Sequence, residues 1–306
     1  MNLDKGFLKE KIKNVALIQG MTLCAEPEFI GGGSFGKVYK AFTKEGTPVI
    51  FKAYYIEGME KSEAYQLKIL SENTDVPMPE VYFTFSDDEA SILAMSFIEG
   101  KNTLEASFLL KSKEKKKAFA ESVTDGMLQW HSVKGNKYGY LDNPCYDSWK
   151  DFYLGEKAEK DIYALKKLSE EGRYSKKSLE LLMRGFKIFE EVAEEPDSPV
   201  LIHGDLNIMN IMANPDDMSL TGFIDPCGSM WADREYDLFQ LLNMWGNAYN
   251  LYGTYKEKFK VSEHCDFKVA FYGAVNENSM RLKGGIAIPL WEIQNNMRLK
   301  KIMKRY

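Results

Sequence analysis

The sequence predicts an α+β protein of two lobes, a small antiparallel-sheet lobe over residues 1–97 and a larger, mostly helical lobe over residues 98–306. Three observations carry that prediction. The first hundred or so residues read as short β-branched and aromatic runs punctuated by glycine and proline turns, with one helical pattern among them. From Glu99-Gly100 onward the texture changes to long stretches with apolar residues at helical spacing. The length of 306 residues exceeds the roughly 100–200 that one core usually organises.

Taken in order, Phe29-Ile30 runs into the glycine cluster Gly31-Gly32-Gly33, and Lys37 to Phe42 resumes as a strand, so the glycines occupy a strand-to-strand turn. Lys44 to Pro48 makes the next turn, and Val49 to Tyr55 is the next strand. Glu60 to Leu70 carries Ala64, Leu67 and Leu70 at helical spacing, and Pro77 and Pro79 close that unit. Strands over Glu80 to Phe85 and Ser91 to Ile98 flank the acidic turn Asp87-Asp88-Glu89. Helical patterns follow over about 103–132, 148–171, 176–195, 233–260 and 266–282, with a last amphipathic segment from Pro289. The run Lys111 to Lys117 reads as a solvated helix face. A small hairpin is expected between Val200-Leu-Ile-His-Gly-Asp-Leu-Asn-Ile-Met-Asn-Ile-Met212 and Leu220 to Asp225, around the turn Asn214 to Asp217.

Composition excludes several function classes. Hydrophobic residues at 44%, charged residues at 28% and only 10 Pro beside 23 Gly rule out disordered, collagen-like and low-complexity chains. A net charge of −5 is a poor match to a nucleic-acid binder, so no nucleic-acid partner is expected. Cys24, Cys145, Cys227 and Cys265 form no C-x-x-C pair and have no ligand spacing with His131, His203 and His264, which predicts a reduced, cytoplasmic protein. The apolar stretch Val15 to Ala25 is too short and interrupted to span a bilayer, and is read as part of the first lobe with no membrane role.

Four features in fixed order carry chemistry. Gly31-x-Gly33-x-x-Gly36-x-Val38 leads into a strand rather than a helix, unlike a dinucleotide-binding turn. A glycine hairpin exposes backbone N–H groups and can fold over a polyphosphate, and Lys52 can reach the same phosphates. Glu63, on the following helix, is placed to pair with Lys52. In His203-Gly-Asp205-Leu-Asn-Ile-Met-Asn210, Asp205 can accept a proton from an attacking hydroxyl or orient it, while Asn210 supplies a metal-binding oxygen. Asp225, in Phe223-Ile-Asp225-Pro, is a hard oxygen ligand suited to Mg2+.

With these residues in this order, the chain resembles the aminoglycoside phosphotransferase and fructosamine kinase family of small-molecule kinases, of protein-kinase-like fold, over about residues 25–260. The resemblance implies an ATP- and Mg2+-dependent kinase. Asp205 would be the catalytic base, Asn210 and Asp225 the metal ligands, and Lys52 the α/β-phosphate contact held by Glu63. Gly33, Ser34, Phe35 and Gly36 would cover the nucleotide phosphates, and the backbone of Ser96 and Ile98 in Met95-Ser-Phe-Ile-Glu-Gly100 would hold adenine. Leu128-Gln-Trp-His131-Ser132 matches a family helix end, and Asp237 a residue that braces the catalytic loop. His131 and His203 are read as structural.

Gly204 stands where protein kinases carry an arginine, and no A-P-E-like segment follows Asp225, which points away from protein substrates toward a small-molecule hydroxyl acceptor, sugar-like or amino-sugar-like. Tyr138-Gly-Tyr-Leu-Asp-Asn143 and Asp225 to Asp237 are closer to the fructosamine kinase branch, whereas Asn207 and Met209 depart from it. Residues 271–306 hold Glu277 and Glu292 against Arg281, Lys283, Arg298, Lys300, Lys301, Lys304 and Arg305, a balance disfavouring a polycationic acceptor if it lines the cleft; a solvated tail is preferred. The alternatives to a small-molecule kinase are a non-catalytic nucleotide-binding scaffold and, behind it, a protein kinase.

Overall fold

The computed structural model describes residues 4–282 and 288–306. Lys283, counted in the basic balance above, lies outside the described residues. The chain separates into two compact units, Met1–Glu99 with Thr221–Asp225, and Gly100–Leu220 with Pro226–Tyr306.

The first unit begins with a helix absent from the expected pattern, α1 (Lys5–Ile18). Asp4 caps it, its carboxylate accepting from Gly6 N at 2.9 Å and Phe7 N at 3.1 Å. Leu8, Ile12, Val15 and Ala16 form one buried stripe along it. The sheet comprises β1 (Glu28–Gly32), β2 (Gly36–Phe42), β3 (Pro48–Tyr54), β4 (Val81–Ser86) and β5 (Ser91–Ser96), with α2 (Met59–Ser71) between β3 and β4 in the chain. Every pairing is antiparallel, in the order β1-β2-β3-β5-β4.

Central β3 is buried along almost its whole length because both its faces are covered. Val49, Phe51 and Ala53 join Tyr39, Ala41, Ile92 and Ala94 in the cluster closed by the α1 stripe. Strand alternation turns Ile50, Lys52 and Tyr54 to the other face, where α2 packs. The two-residue period thus delivers a lysine to the interior beside a helix that carries glutamates.

In the second unit β6 (Lys101–Asn102) and α3 (Ala106–Leu109) precede α4 (Lys113–Ser132), so the helix expected over 103–132 is interrupted. Ser112 restarts the helix by accepting from Lys115 N at 3.3 Å. Next come β7 (Gly139–Tyr140), a π-helical stretch Asp151–Glu159, α5 (Lys160–Glu170), α6 (Lys176–Val192), β8 (Val200–Ile202) and β9 (Ile211–Ala213). After β10 (Leu220–Phe223), which carries the chain to Asp225, come β11 (Met230–Ala232), α7 (Leu251–Lys258), α8 (Cys265–Ser279) and α9 (Pro289–Ile302). β11 pairs antiparallel with both β7 and β8, and β6 pairs with β9.

The single helix expected over 233–260 is instead two 3-10 segments, Arg234–Leu242 and Gly246–Tyr249, followed by α7. Asn243 is extended, and Met244 and Asn250 have φ of 51° and 54°, which a continuous helix does not allow. The apolar spacing is genuine, but the polar side chains within it bond to the rest of the unit, so the backbone follows them.

The core of this unit is aromatic. Trp149 stacks on Tyr153 at 5.4 Å between ring centres, and Tyr153 meets Tyr272 edge-on at 4.8 Å. Beneath it Lys268, 2% exposed, lies 2.6 Å from Asp233 and 2.8 Å from Glu235. Burial opposes the Lys268 charge, but the two carboxylates hold its ammonium above its ordinary value. In the lysine run, Lys111 and Lys115 are not simply solvated: their ammonium groups donate to the Pro215 and Asp216 carbonyls of the turn before β10. Of the C-terminal cations, Arg281 pairs with Glu292, while Lys300, Lys301 and Lys304 are exposed.

Candidate active site

In the first unit the glycine turn closes with Gly33 N donating to the Gly36 carbonyl at 3.0 Å, leaving Ser34 and Phe35 at its tip. The Phe35 carbonyl accepts from Tyr55 N at 2.8 Å, tying the tip to the end of β3. Gly36 has no alternative, since a Cβ there would come within 2.4 Å of the Ala53 carbonyl oxygen. At Gly31 and Gly33 the position a Cβ would take is open space, so no side chain stands beside the backbone there.

Register places Lys52 between Val38 of β2 and Leu93 of β5. Its ammonium donates to Glu63 Oε2 at 2.6 Å and also to Asp225 Oδ1. Tyr54, two residues along the same face, donates its hydroxyl to the same Glu63 oxygen at 2.6 Å. Burial works against charge on Lys52, yet Asp225 and then Glu63 outweigh it and keep the ammonium above its ordinary value. Burial also pushes the Glu63 carboxyl up, with Lys52 opposing. Asp225 holds the left-handed conformation, φ 57°, one of few positions where a non-glycine residue does so. At the expected adenine contact, Ser96 N donates to the Glu80 carbonyl at 2.8 Å, and Ser96 Oγ accepts from Glu80 N at 2.8 Å. Ile98 is half-buried in the segment that follows β5.

In the second unit the loop after β8 is held by Asp237, which is fully buried. Its Oδ2 accepts from His203 N at 2.9 Å and its Oδ1 from Gly204 N at 2.7 Å. Burial raises the Asp237 carboxyl, but the hydrogen bond from His131 and the charges and backbone donors around it bring it below its ordinary value. His131 lies with Nε2 3.4 Å from Asp237 Oδ2 and Nδ1 2.7 Å from Tyr255 Oη, inside the core rather than at a reacting centre. His203 is equally buried and packs against Trp130. Gly204 has φ 84°, and a Cβ would meet Gly228 and the Cys227 carbonyl at 2.6 Å, which accounts for glycine before the aspartate.

Asp205 is ringed by amides. Its Oδ1 accepts from Gln240 Nε2 at 2.7 Å and Asn207 Nδ2 at 3.0 Å, and its Oδ2 from Asn210 Nδ2 at 3.1 Å. Three side-chain amides thus fix where the Asp205 carboxylate oxygens lie. Asn210 also donates to the Asp205 carbonyl at 2.7 Å, so its amide oxygen is turned away from Asp205. That oxygen and the Asp225 carboxylate are both hard ligands of the kind Mg2+ takes. Among the described residues no group of three or more His, Cys, Asp or Glu could hold a metal by itself. Each of those two ligands by itself fits Mg2+, which takes few protein ligands and keeps waters and substrate phosphates as the others.

The structure therefore brings Lys52, Glu63 and Asp225 together in the first unit, and Asp205 and Asn210 in the second. Gln240 and Tyr54 were not identified from the sequence. Tyr54 was legible, since alternation puts it on the face of Lys52. Gln240 had no signal, because the 3-10 segment that presents it was read as helix.

The description "phosphotransferase enzyme family" fits residues 55–255, two-thirds of the chain, a span that starts just after Lys52. Among curated proteins the uncharacterized protein YcbJ of Escherichia coli K12 is 21% identical over 226 residues, covering 71% of this chain and 72% of its own. A Thermobifida fusca YX-ER1 protein assigned as a fructosamine-3-kinase superposes with a TM-score of 0.68 at 19% identity, over 94% of this chain and 97% of its own. A thermostable mutant of an aminoglycoside phosphotransferase, in ternary complex with AMP-PNP and hygromycin B, has a TM-score of 0.68 at 13% identity, over 96% of this chain and 98% of its own. Among the described residues no helix is long and apolar enough to cross a membrane.

Proposed function

The chain belongs to the phosphotransferase enzyme family, and from that premise we propose that it transfers the γ-phosphoryl group of ATP, with Mg2+, to a hydroxyl of a sugar-like or amino-sugar-like small molecule. The observation that carries this reading is Asp205, a carboxylate held by three neutral amides. Such a group is directed, as a base that aims a hydroxyl must be. Gly33, Ser34, Phe35 and Gly36 supply backbone around the phosphates, and Lys52 supplies a permanent cation there. Ser96 and Ile98 offer backbone to the base of the nucleotide. Glu63, with Tyr54, fixes where the Lys52 ammonium points. Asn210 and Asp225 are the oxygen ligands that would hold Mg2+, whose role when bound is to neutralise phosphate charge. Little covalent chemistry falls to the protein, so positioning and charge neutralisation account for the rate.

The test is ATP consumption by the full chain with Mg2+, screened against aminoglycosides, fructosyl-amines, choline-like alcohols, homoserine-like amino alcohols and sugars, with GTP in parallel. The expected result is acceptor-stimulated turnover that Asp205→Asn reduces by about 10²-fold or more while nucleotide binding persists. Undiminished turnover in Asp205→Asn would remove the base assignment. ATP binding without turnover on any acceptor would favour a non-catalytic scaffold.

A further inference from the structure

Asp205 is the end of a longer chain of hydrogen bonds. Gln240 Nε2 donates to Asp205 Oδ1 at 2.7 Å, and Asn243 Nδ2 donates to Gln240 Oε1 at 2.8 Å. Asn295 Nδ2 donates to Asn243 Oδ1 at 2.9 Å, and Arg298 Nη1 donates to Asn295 Oδ1 at 2.7 Å. The three linking amides are 0–3% exposed. Their remaining donors are engaged as well: Asn243 Nδ2 reaches Glu277 Oε1 at 3.1 Å, and Asn295 Nδ2 the Trp291 carbonyl at 3.0 Å.

Every bond in this series points the same way, a direction set by its two ends together with the acceptors beside the linking amides, the Glu277 carboxylate and the Trp291 carbonyl. A guanidinium can only donate and a carboxylate can only accept. An amide can do either, so three amides alone would have two equivalent settings. Between Arg298 and Asp205 one setting alone satisfies all of them, because turning any amide over opposes two NH2 groups or two carbonyls in a buried place. Arg298 is itself anchored, its Nη2 donating to the Leu242 carbonyl at 3.0 Å. Space is also reserved for the series. Gly273, in the interior of α8 where glycine costs stability, has its Cβ position 2.3 Å from Asn295 Oδ1.

We propose that Arg298, Asn295 and Asn243 are positioning residues for Asp205: Arg298 and Asn295 of α9, acting through Asn243 at the end of the 3-10 segment, fix the orientation of the Gln240 amide, so that Gln240 always presents its nitrogen to the carboxylate. The structural part of this inference stands on the hydrogen bonds alone; its consequence for turnover rests on Asp205 being the base.

The experiment follows the Gln240 side-chain NH2 in 15N–1H spectra of the full chain, assigned by its loss in Gln240→Leu, and in parallel basal hydrolysis of Mg·ATP. In the wild type one Gln240 proton should be displaced downfield and slow to exchange. Arg298→Met removes the fixed donor, and Gly273→Ala displaces the Asn295 amide while removing no polar group. Both should return that proton toward the position of a free amide and speed its exchange about tenfold, and Arg298→Lys should largely restore it. If both variants act through one series, Arg298→Met combined with Gly273→Ala should have little more effect than the first alone. The kcat of hydrolysis should fall about tenfold with KM for ATP unchanged. A Gln240 amide unaltered in folded Gly273→Ala and Arg298→Met would overturn the proposal, even if both melt earlier. A Gln240 amide that responds in a protein with no turnover on any acceptor would leave the relay standing and count against the phosphotransfer reading instead.

Discussion

Lys52 carries two carboxylates on one ammonium, and they differ in consequence. Glu63 is 4% exposed, whereas the Asp225 side chain is 44% exposed, so removing the lysine leaves the glutamate stranded and the aspartate merely solvated. Lys52→Met should therefore abolish turnover and also destabilise the first unit by about 3 kcal/mol, read from urea unfolding. Glu63→Gln should keep the fold and weaken ATP binding, because the ammonium loses one of the groups that aim it. Asp237 gives a pH signature. Its folded carboxyl lies below its ordinary value, so its contribution is complete above the unfolded value of about 4 and fades as pH falls through the lower folded one. Asp237→Asn should lower stability by about 1–3 kcal/mol at neutral pH and flatten the loss of stability on acidification, both visible in denaturant midpoints from pH 6 to 3. At this scale most of the candidate site is legible in the sequence, since the glycine loop, Lys52, Asp205, Asn210 and Asp225 each sit in a short run of characteristic neighbours. Gln240, thirty-five residues beyond Asp205, has no such neighbours, and the amides behind it are set by hydrogen bonds between residues far apart in the chain.

At the scale of elements, α1 shows what periodicity reads poorly. Its stripe Leu8, Ile12, Val15, Ala16 has helical spacing, but the exposed Leu17 and Ile18 extend the apolar run past it and blur the face. The Asp4 cap was the clearer sign, and Asp4→Ala should cost about 1 kcal/mol in thermal unfolding. The segment 234–242 was misread for the opposite reason: its period is helical, but its backbone answers to buried polar partners. α8 is tied to it by Lys268, between Asp233 and Glu235, which also accept from Tyr272 and Ser262. Lys268→Met leaves two buried carboxylates facing each other and should destabilise by about 3–5 kcal/mol, whereas replacing all three by apolar residues should recover much of that. Equal stability of wild type and Lys268→Met in guanidinium would contradict this account.

For the whole molecule, a ligand that binds only the folded chain raises its stability by mass action. Mg·ATP at about a hundred times its dissociation constant should add about 2.7 kcal/mol, with amide exchange slowed around Gly33 to Gly36. No thermal shift with ATP or GTP would count against a nucleotide site in the first unit. The change of texture near Glu99 was plain from the sequence, since strands and long helices differ in period. What period cannot disclose is that Thr221–Asp225 belongs with the first unit. The chain leaves that unit after Glu99 and re-enters it more than a hundred residues later for a single strand end. Severing the protein at the boundary its texture advertises would produce an N-terminal fragment with Lys52 and Glu63 but without Asp225, a cation short of the carboxylate that most strongly sustains its charge. The first unit is thus not a contiguous module of the chain: the acidic partner of its buried lysine is encoded beyond the boundary.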